Sequence, residues 1–171
     1  MSPFYDWLNF YVITGSSSAA LTGLVFVVTT IVAGRRDGSV TGEGTSVFSS
    51  PTVVHFCAAF FIACVASVPW HRPSVPSAII GLAGLFGVAM SVRIFFRARN
   101  FNNYQPDRSD FVWFTILPGV AYAAEAASGF FLPVVPIQAA FALAAASVAL
   151  IFIGIHNAWD VINYLAIRRE D

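Results

Sequence analysis

Five apolar runs, each about as long as a bilayer is thick and separated by short polar or proline-marked breaks, constrain this chain more than any other feature. The hydrocarbon core is about 30 Å deep and an α-helix rises 1.5 Å per residue, so one crossing takes about 20 apolar residues. The runs cover residues 8–33, 51–69, 76–96, 111–132 and 136–158, and the last continues as a helical extension to about 167. A membrane barrel would show alternation in segments of about ten residues instead. The expected fold is therefore all-α: one integral membrane helical bundle over residues 1–171 with about five transmembrane helices. Composition agrees, since 57% of residues are hydrophobic and 11% charged, against about 25% charged in a soluble domain.

The breaks carry turn chemistry. Arg35, Arg36 and Asp37 precede Gly38, Gly42 and Gly44, and Ser50 stands before Pro51 as an N-cap before a first-turn proline. His71, Arg72 and Pro73 form the second break, and Asn100 to Asp110 the third. Only Leu132 to Pro136 separates the last two runs, which predicts a tight antiparallel hairpin. The first run is read as a span and not a cleaved leader, because Asp6 is the sole charged side chain before it.

The arginines orient the bundle. Arg35, Arg36, Arg93, Arg97, Arg99, Arg108, Arg168 and Arg169 all fall on one side of a five-span model, and Arg72 alone falls on the other. The positive-inside rule then puts the N-terminus outside and the C-terminus in the cytoplasm. Tyr5, Trp7, Tyr11, Trp70, Trp113, Trp159 and Tyr164 lie near span ends, as interfacial aromatics do. Net charge is zero and lysine is absent, so no basic surface suits nucleic acid. The lipid bilayer is the expected partner. The last part of the fifth run, with Val161, Ile162 and Leu165 opposite polar residues, is expected to protrude or to lie along the inner surface.

Helices in lipid associate through small residues and interhelical hydrogen bonds. Gly15, Ala19 and Gly23 recur every four residues on the first run, which predicts a packing face and a central position for that helix. Ala83, Gly87 and Ser91 repeat that interval on the third run, and Ala140, Ala144 and Ser147 supply small residues on the fifth. Phe60, Phe61, Phe95 and Phe96 are assigned to lipid or to another subunit, and a homo-oligomer is expected.

Ionisable and polar groups inside a membrane are costly and mark candidate sites. Glu125 stands among alanines on the fourth run, with Tyr122 one turn away and Pro118 a turn further, where it would bend the helix. With Gln138 about one turn outward and Ser16 and Ser17 at comparable depth, it defines an expected polar site in the outer half. Glu125 serves there either as the ionisable centre of a proton or cation site or as a neutral hydrogen-bonding tie between helices. A separate inner cluster is expected from His55, Arg93, His156, Asn157 and Asp160, with Arg93 and Asp160 as a pair. His55 and His156 on different helices are candidate ligands for haem b or a metal ion, although no cofactor is expected. Cys57 and Cys64 lie about 10 Å apart on one helix, beyond disulfide reach. No nucleophile, zinc or nucleotide motif occurs, and no catalytic residue is assigned.

The stretch GSSSAALTGLVFV, Gly15 to Val27, resembles the first helix of small uncharacterised bacterial multi-spanning inner-membrane proteins. The resemblance implies the bacterial cytoplasmic membrane and transfers no activity and no site residue. Three functions fit the sequence: an oligomeric permeation protein for protons, cations or a small polar solute; an accessory or regulatory subunit of a larger membrane complex; and a haem- or metal-bearing redox component. An intramembrane glutamate with hydroxyls nearby puts permeation first.

Overall fold

The computed structural model describes residues 3–34, 51–100 and 111–167. It is helical, with no strand among the described residues. A 3-10 turn, Tyr5–Trp7, leads into α1 (Leu8–Gly34), followed by α2 (Pro51–Ser67), α3 (Ser74–Asn100), α4 (Leu117–Phe131) and α5 (Pro136–Ile167). Three of these helices, α1, α3 and α5, are long and apolar enough to cross a membrane. α2 is apolar but shorter. The sequence breaks at 35–50 and 101–110, the arginines within them, the caps Ser50 and Asp110, and the tail from Arg168 lie outside the described residues, as do the side chains of Arg97, Arg99 and residues 161–167.

α4 begins abnormally. Residues Val112–Ile116 wind as a π-helix, in which the Leu117 N–H donates to the Val112 carbonyl five residues back. Pro118 explains the switch: it has no N–H to offer Phe114, and its ring crowds that carbonyl, so the turn before it widens. The expected bend at this proline is thus an added residue in the helical turn.

Consecutive helices pack antiparallel, and the glycines set the register between α3 and α4. Gly81 backs on Gly129, Gly84 on Ala126 and Gly87 on the Tyr122 ring, while Ser91 meets Gly119. A Cβ at Gly84 would stand 2.6 Å from the Ala126 Cα, and one at Gly87 or Gly129 would overlap its neighbour outright. Only glycine permits this approach. Elsewhere Gly15 of α1 lies on Ala63 of α2, and Gly154 of α5 on the Phe56 ring of α2.

The turns 68–73 and 132–135 share one end of the bundle, called here the hairpin end. Phe4, Tyr11, Ile62, Ala66, Leu132 and Leu143 form a cluster there. Trp7 meets Phe141 edge-on at 4.7 Å, and Trp70 caps the turn by donating from Nε1 to the Val65 carbonyl at 2.7 Å. Tyr11 is 1% exposed, a core residue and not an interfacial one; Tyr5 and Trp159 are exposed as expected.

The small-residue stripe on α1 does not do what its spacing suggested. Gly15 packs, but Ala19 is exposed and a Cβ on Gly23 would have nothing within 4 Å among the described residues. Only 17% of the apolar window of α1 is buried, against 50% for α5. α5 is therefore the central helix and α1 is peripheral. The physical reason is that small residues permit close approach without compelling it, whereas polar side chains on α2, α4 and α5 need a protein interior. On α5 itself Ala140, Ala144 and Ser147 are buried.

Candidate functional site

Among the described residues, the buried His55, Tyr122, Glu125 and Asn157 lie where α2, α4 and α5 converge. On α2 the inward face carries Thr52, His55, Phe56 and Ala59, one helical turn apart in sequence. On α4 it carries Pro118, Ala121, Tyr122, Glu125 and Ser128. On α5 Leu150 and Ile153 pack against Ala121 and Tyr122, and Asn157 follows one turn further from the hairpin end. His55 and Asn157 are fully buried, and Tyr122 and Glu125 are each 1% exposed.

The centre of this arrangement is a hydrogen bond between His55 Nδ1 and the Tyr122 hydroxyl, 2.9 Å long. It runs in either sense: the hydroxyl donates to a bare Nδ1, or an Nδ1–H donates to the phenol oxygen. The two rings are tilted at 48° with centroids 5.6 Å apart. The sequence assigned these residues to separate levels, Tyr122 outer and His55 inner. They form one unit because helical side chains lean toward the helix N-terminus, so Tyr122 reaches from mid-helix toward the end where α2 begins. Glu125, one turn along α4 on the same side, is buried as well.

Several polar atoms around this bond have no hydrogen-bond partner among the described residues: His55 Nε2, Glu125 Oε2, Thr52 Oγ1 and both amide atoms of Asn157. Leaving one such group unpaired costs about 1–3 kcal/mol, so a cluster of them is an expense that packing alone does not require. Neighbouring hydroxyls do not relieve it, since they are spent on their own helices. Ser18 donates to the Thr14 carbonyl, Ser128 to Ala124, Ser147 to Leu143 and Ser91 to Gly87, all at 2.7–3.0 Å.

Other expected members fall outside the unit. Ser16 and Ser17 are exposed on α1, and Gln138 is exposed near the start of α5. The α4–α5 register sets Glu125 near the level of Ser147, about two and a half turns from Gln138. Arg93 is exposed on α3 and makes no ion pair with Asp160; Asp160 Oδ2 instead approaches His156 Nδ1 at 3.1 Å. That approach is too bent for a hydrogen bond, and His156 Nδ1 has no partner by that measure. The His156 ring lies flat under Trp113, centroids 3.7 Å apart and 5° from parallel, so the π-helical turn that carries Trp113 is what positions it. Among the described residues no group of three or more His, Cys, Asp or Glu is gathered as a metal centre requires.

Thr52, the Trp113 stack and the π-helical turn were not among the residues singled out from sequence. Thr52 had a signal, three residues before His55 on the same face. A groove of about 480 Å³ between α3 and α4, bordered by Val88, Val92, Phe95, Ile116 and Val120, is apolar and opens outward, away from the polar unit. Of the phenylalanines assigned to lipid or another subunit, Phe60, Phe61 and Phe96 are exposed, whereas Phe95 is half-buried against Phe96 and Phe111. No protein-family model, curated protein or solved structure matches the chain.

Proposed function

We propose that the protein is a five-span helical protein of the bacterial cytoplasmic membrane, N-terminus outside, whose oligomer lets protons, cations or a small polar solute cross the bilayer. The observation that carries this reading is the buried His55–Tyr122 bond flanked by unpartnered atoms of Glu125, Thr52 and Asn157. An ionisable residue at the centre of a membrane helix costs at least about 2.5 kcal/mol, and a purely structural tie would have paired it.

The span count draws on helix length. α2, at 17 residues, covers about 26 Å, and residues 111–131 cover about 32 Å. Both fit the hydrocarbon core with the three longer helices. The orientation rests on the eight arginines that fall on one side. The oligomer is supported by the face of α1 around Ala19 and Gly23, which is small, exposed and open to close approach by another helix. That face equally suits a different protein, and so favours the second reading, an accessory subunit of a larger membrane complex.

Flux into proteoliposomes tests the proposal. The protein is expected to pass at least one of a proton, an alkali cation or a small polyol faster than protein-free vesicles, and Glu125→Gln to reduce that flux. Equal flux in protein and variant removes Glu125 from a conducting role, and no flux in either moves the weight to the accessory reading.

A further inference from the structure

Taking permeation as its premise, we propose that the species moved is the proton, relayed through His55, Tyr122 and Glu125 by exchange of hydrogen bonds and not through an aqueous bore.

Packing around Tyr122 is the first argument. The Tyr122 ring fills the space that Gly87 leaves on α3, so closely that a Cβ there would overlap it. Ala121, Leu150 and Ile153 close the α5 side. One turn toward the hairpin end, Ala126 is pressed on Gly84. A hydrated cation or a polyol passing this level would have to exchange its water shell for oxygen ligands, and the surfaces that meet here are glycine backbone, methyl groups and an aromatic face. A proton needs no bore, only donors and acceptors in sequence.

The chemistry of the bonded pair is the second. Imidazole and phenol each donate and accept, so the 2.9 Å bond between Nδ1 and the hydroxyl persists in both senses. The pair also has open ends. His55 Nε2 and Glu125 Oε2 are buried and unpartnered among the described residues; the first belongs to the ring bonded to the Tyr122 hydroxyl and the second to the carboxyl one helical turn along α4. Thr52 Oγ1 and the Asn157 amide, both on the His55 side and both unpartnered, cannot titrate, but they can orient a water that delivers a proton to Nε2.

One transfer balances as follows. Neutral His55 starts with its proton on Nδ1, donated to the Tyr122 oxygen, and Tyr122 points its own proton toward the Glu125 carboxylate. A proton arriving at Nε2 forms the imidazolium. The Nδ1 proton passes to the phenol oxygen as the phenol proton passes to Glu125, directly or through one water. The result is neutral His55 protonated on Nε2, neutral Tyr122 and a neutral carboxyl, with one proton gained. Release of the Glu125 proton toward the hairpin end, rotation of the hydroxyl, and a turn of the imidazole during which Nδ1 takes a proton from the delivering water while Nε2 returns one to it, restore the starting arrangement.

The test uses the full chain in proteoliposomes loaded with a pH-reporting dye, with a potassium gradient and valinomycin supplying the driving potential. The protein is expected to speed the change of internal pH, and the rate is expected to fall in D2O. Tyr122→Phe keeps the ring on Gly87 and removes the hydroxyl; its rate is expected to fall to that of protein-free vesicles. Glu125→Gln reads the other end of the relay in the same way should the phenylalanine variant fail to fold. Sodium indicator and glycerol shrinkage assays run in parallel. Sodium or glycerol flux without proton flux would overturn the proton assignment and leave permeation standing. Proton flux undiminished in both variants would overturn the relay. Absence of every flux would overturn permeation itself, and this inference with it.

Discussion

Replacing Gly84 by alanine tests the register of α3 on α4, on which the position of Tyr122 depends. The added methyl would lie 2.6 Å from the Ala126 Cα and 2.8 Å from its Cβ. Carbon atoms rest at about 3.5–4.0 Å, and the neighbour is helix backbone that cannot rotate aside, so the two axes must part by roughly 1 Å at this level. Overpacking of that kind costs about 1–3 kcal/mol, and a clash with backbone belongs at the upper end. Alanine returns about 1 kcal/mol through its higher helix propensity, leaving Gly84→Ala less stable by about 2 kcal/mol. Gly23→Ala is the matched control. It gains the same propensity and meets nothing within 4 Å, so it should be neutral or more stable by about 0.5–1 kcal/mol. Reversible unfolding in mixed detergent micelles, followed by circular dichroism, measures the difference. Equal stabilities for the two variants would refute the close α3–α4 contact.

Two further substitutions read the polar unit and the π-helical turn. Tyr122→Phe strands His55 Nδ1 in the interior and should cost about 1–3 kcal/mol of unfolding free energy; a variant as stable as the parent would show that the bond is not made. Pro118→Ala restores an N–H for the Phe114 carbonyl, so residues 112–116 should tighten to α-helical winding and turn Trp113 away from His156. Tryptophan emission should then shift in the same direction as in His156→Ala, and an unchanged spectrum would contradict the stated cause of the widened turn.

Helix positions were legible because an apolar run of about 20 residues has few other uses: the helices lie on the five runs, within a few residues at each end. Their ranking was not. The spacing of Gly15, Ala19 and Gly23 matches that of a packing face, yet tighter approaches are made by Gly84 and Gly87 on α3, where Ala83, Gly87 and Ser91 showed the same interval and Gly84 was not singled out. A stripe of small residues reports what a face permits, and sequence does not show which face finds a partner. The candidate site was half legible. Glu125, Tyr122, His55 and Asn157 stand out as polar groups on apolar helices, and all four are buried. Their union was hidden, because depth counted along separate helices ignores the lean and length of a tyrosine side chain. Ser16 and Ser17 illustrate the converse: comparable depth does not bring side chains together when their helices face elsewhere, and Gln138 misses the level of Glu125 altogether.

Sidedness of the two chain ends tests the central claim most directly, since a polar relay has a use only in a bundle that crosses the bilayer with its ends apart. Single cysteines at Tyr5 and Glu170, introduced into a chain with Cys57 and Cys64 replaced by serine, would be probed in intact cells with an impermeant maleimide. The account predicts labelling of Tyr5→Cys from outside and of Glu170→Cys only after the cells are opened. Labelling of both positions from the same side would contradict the five-span bundle.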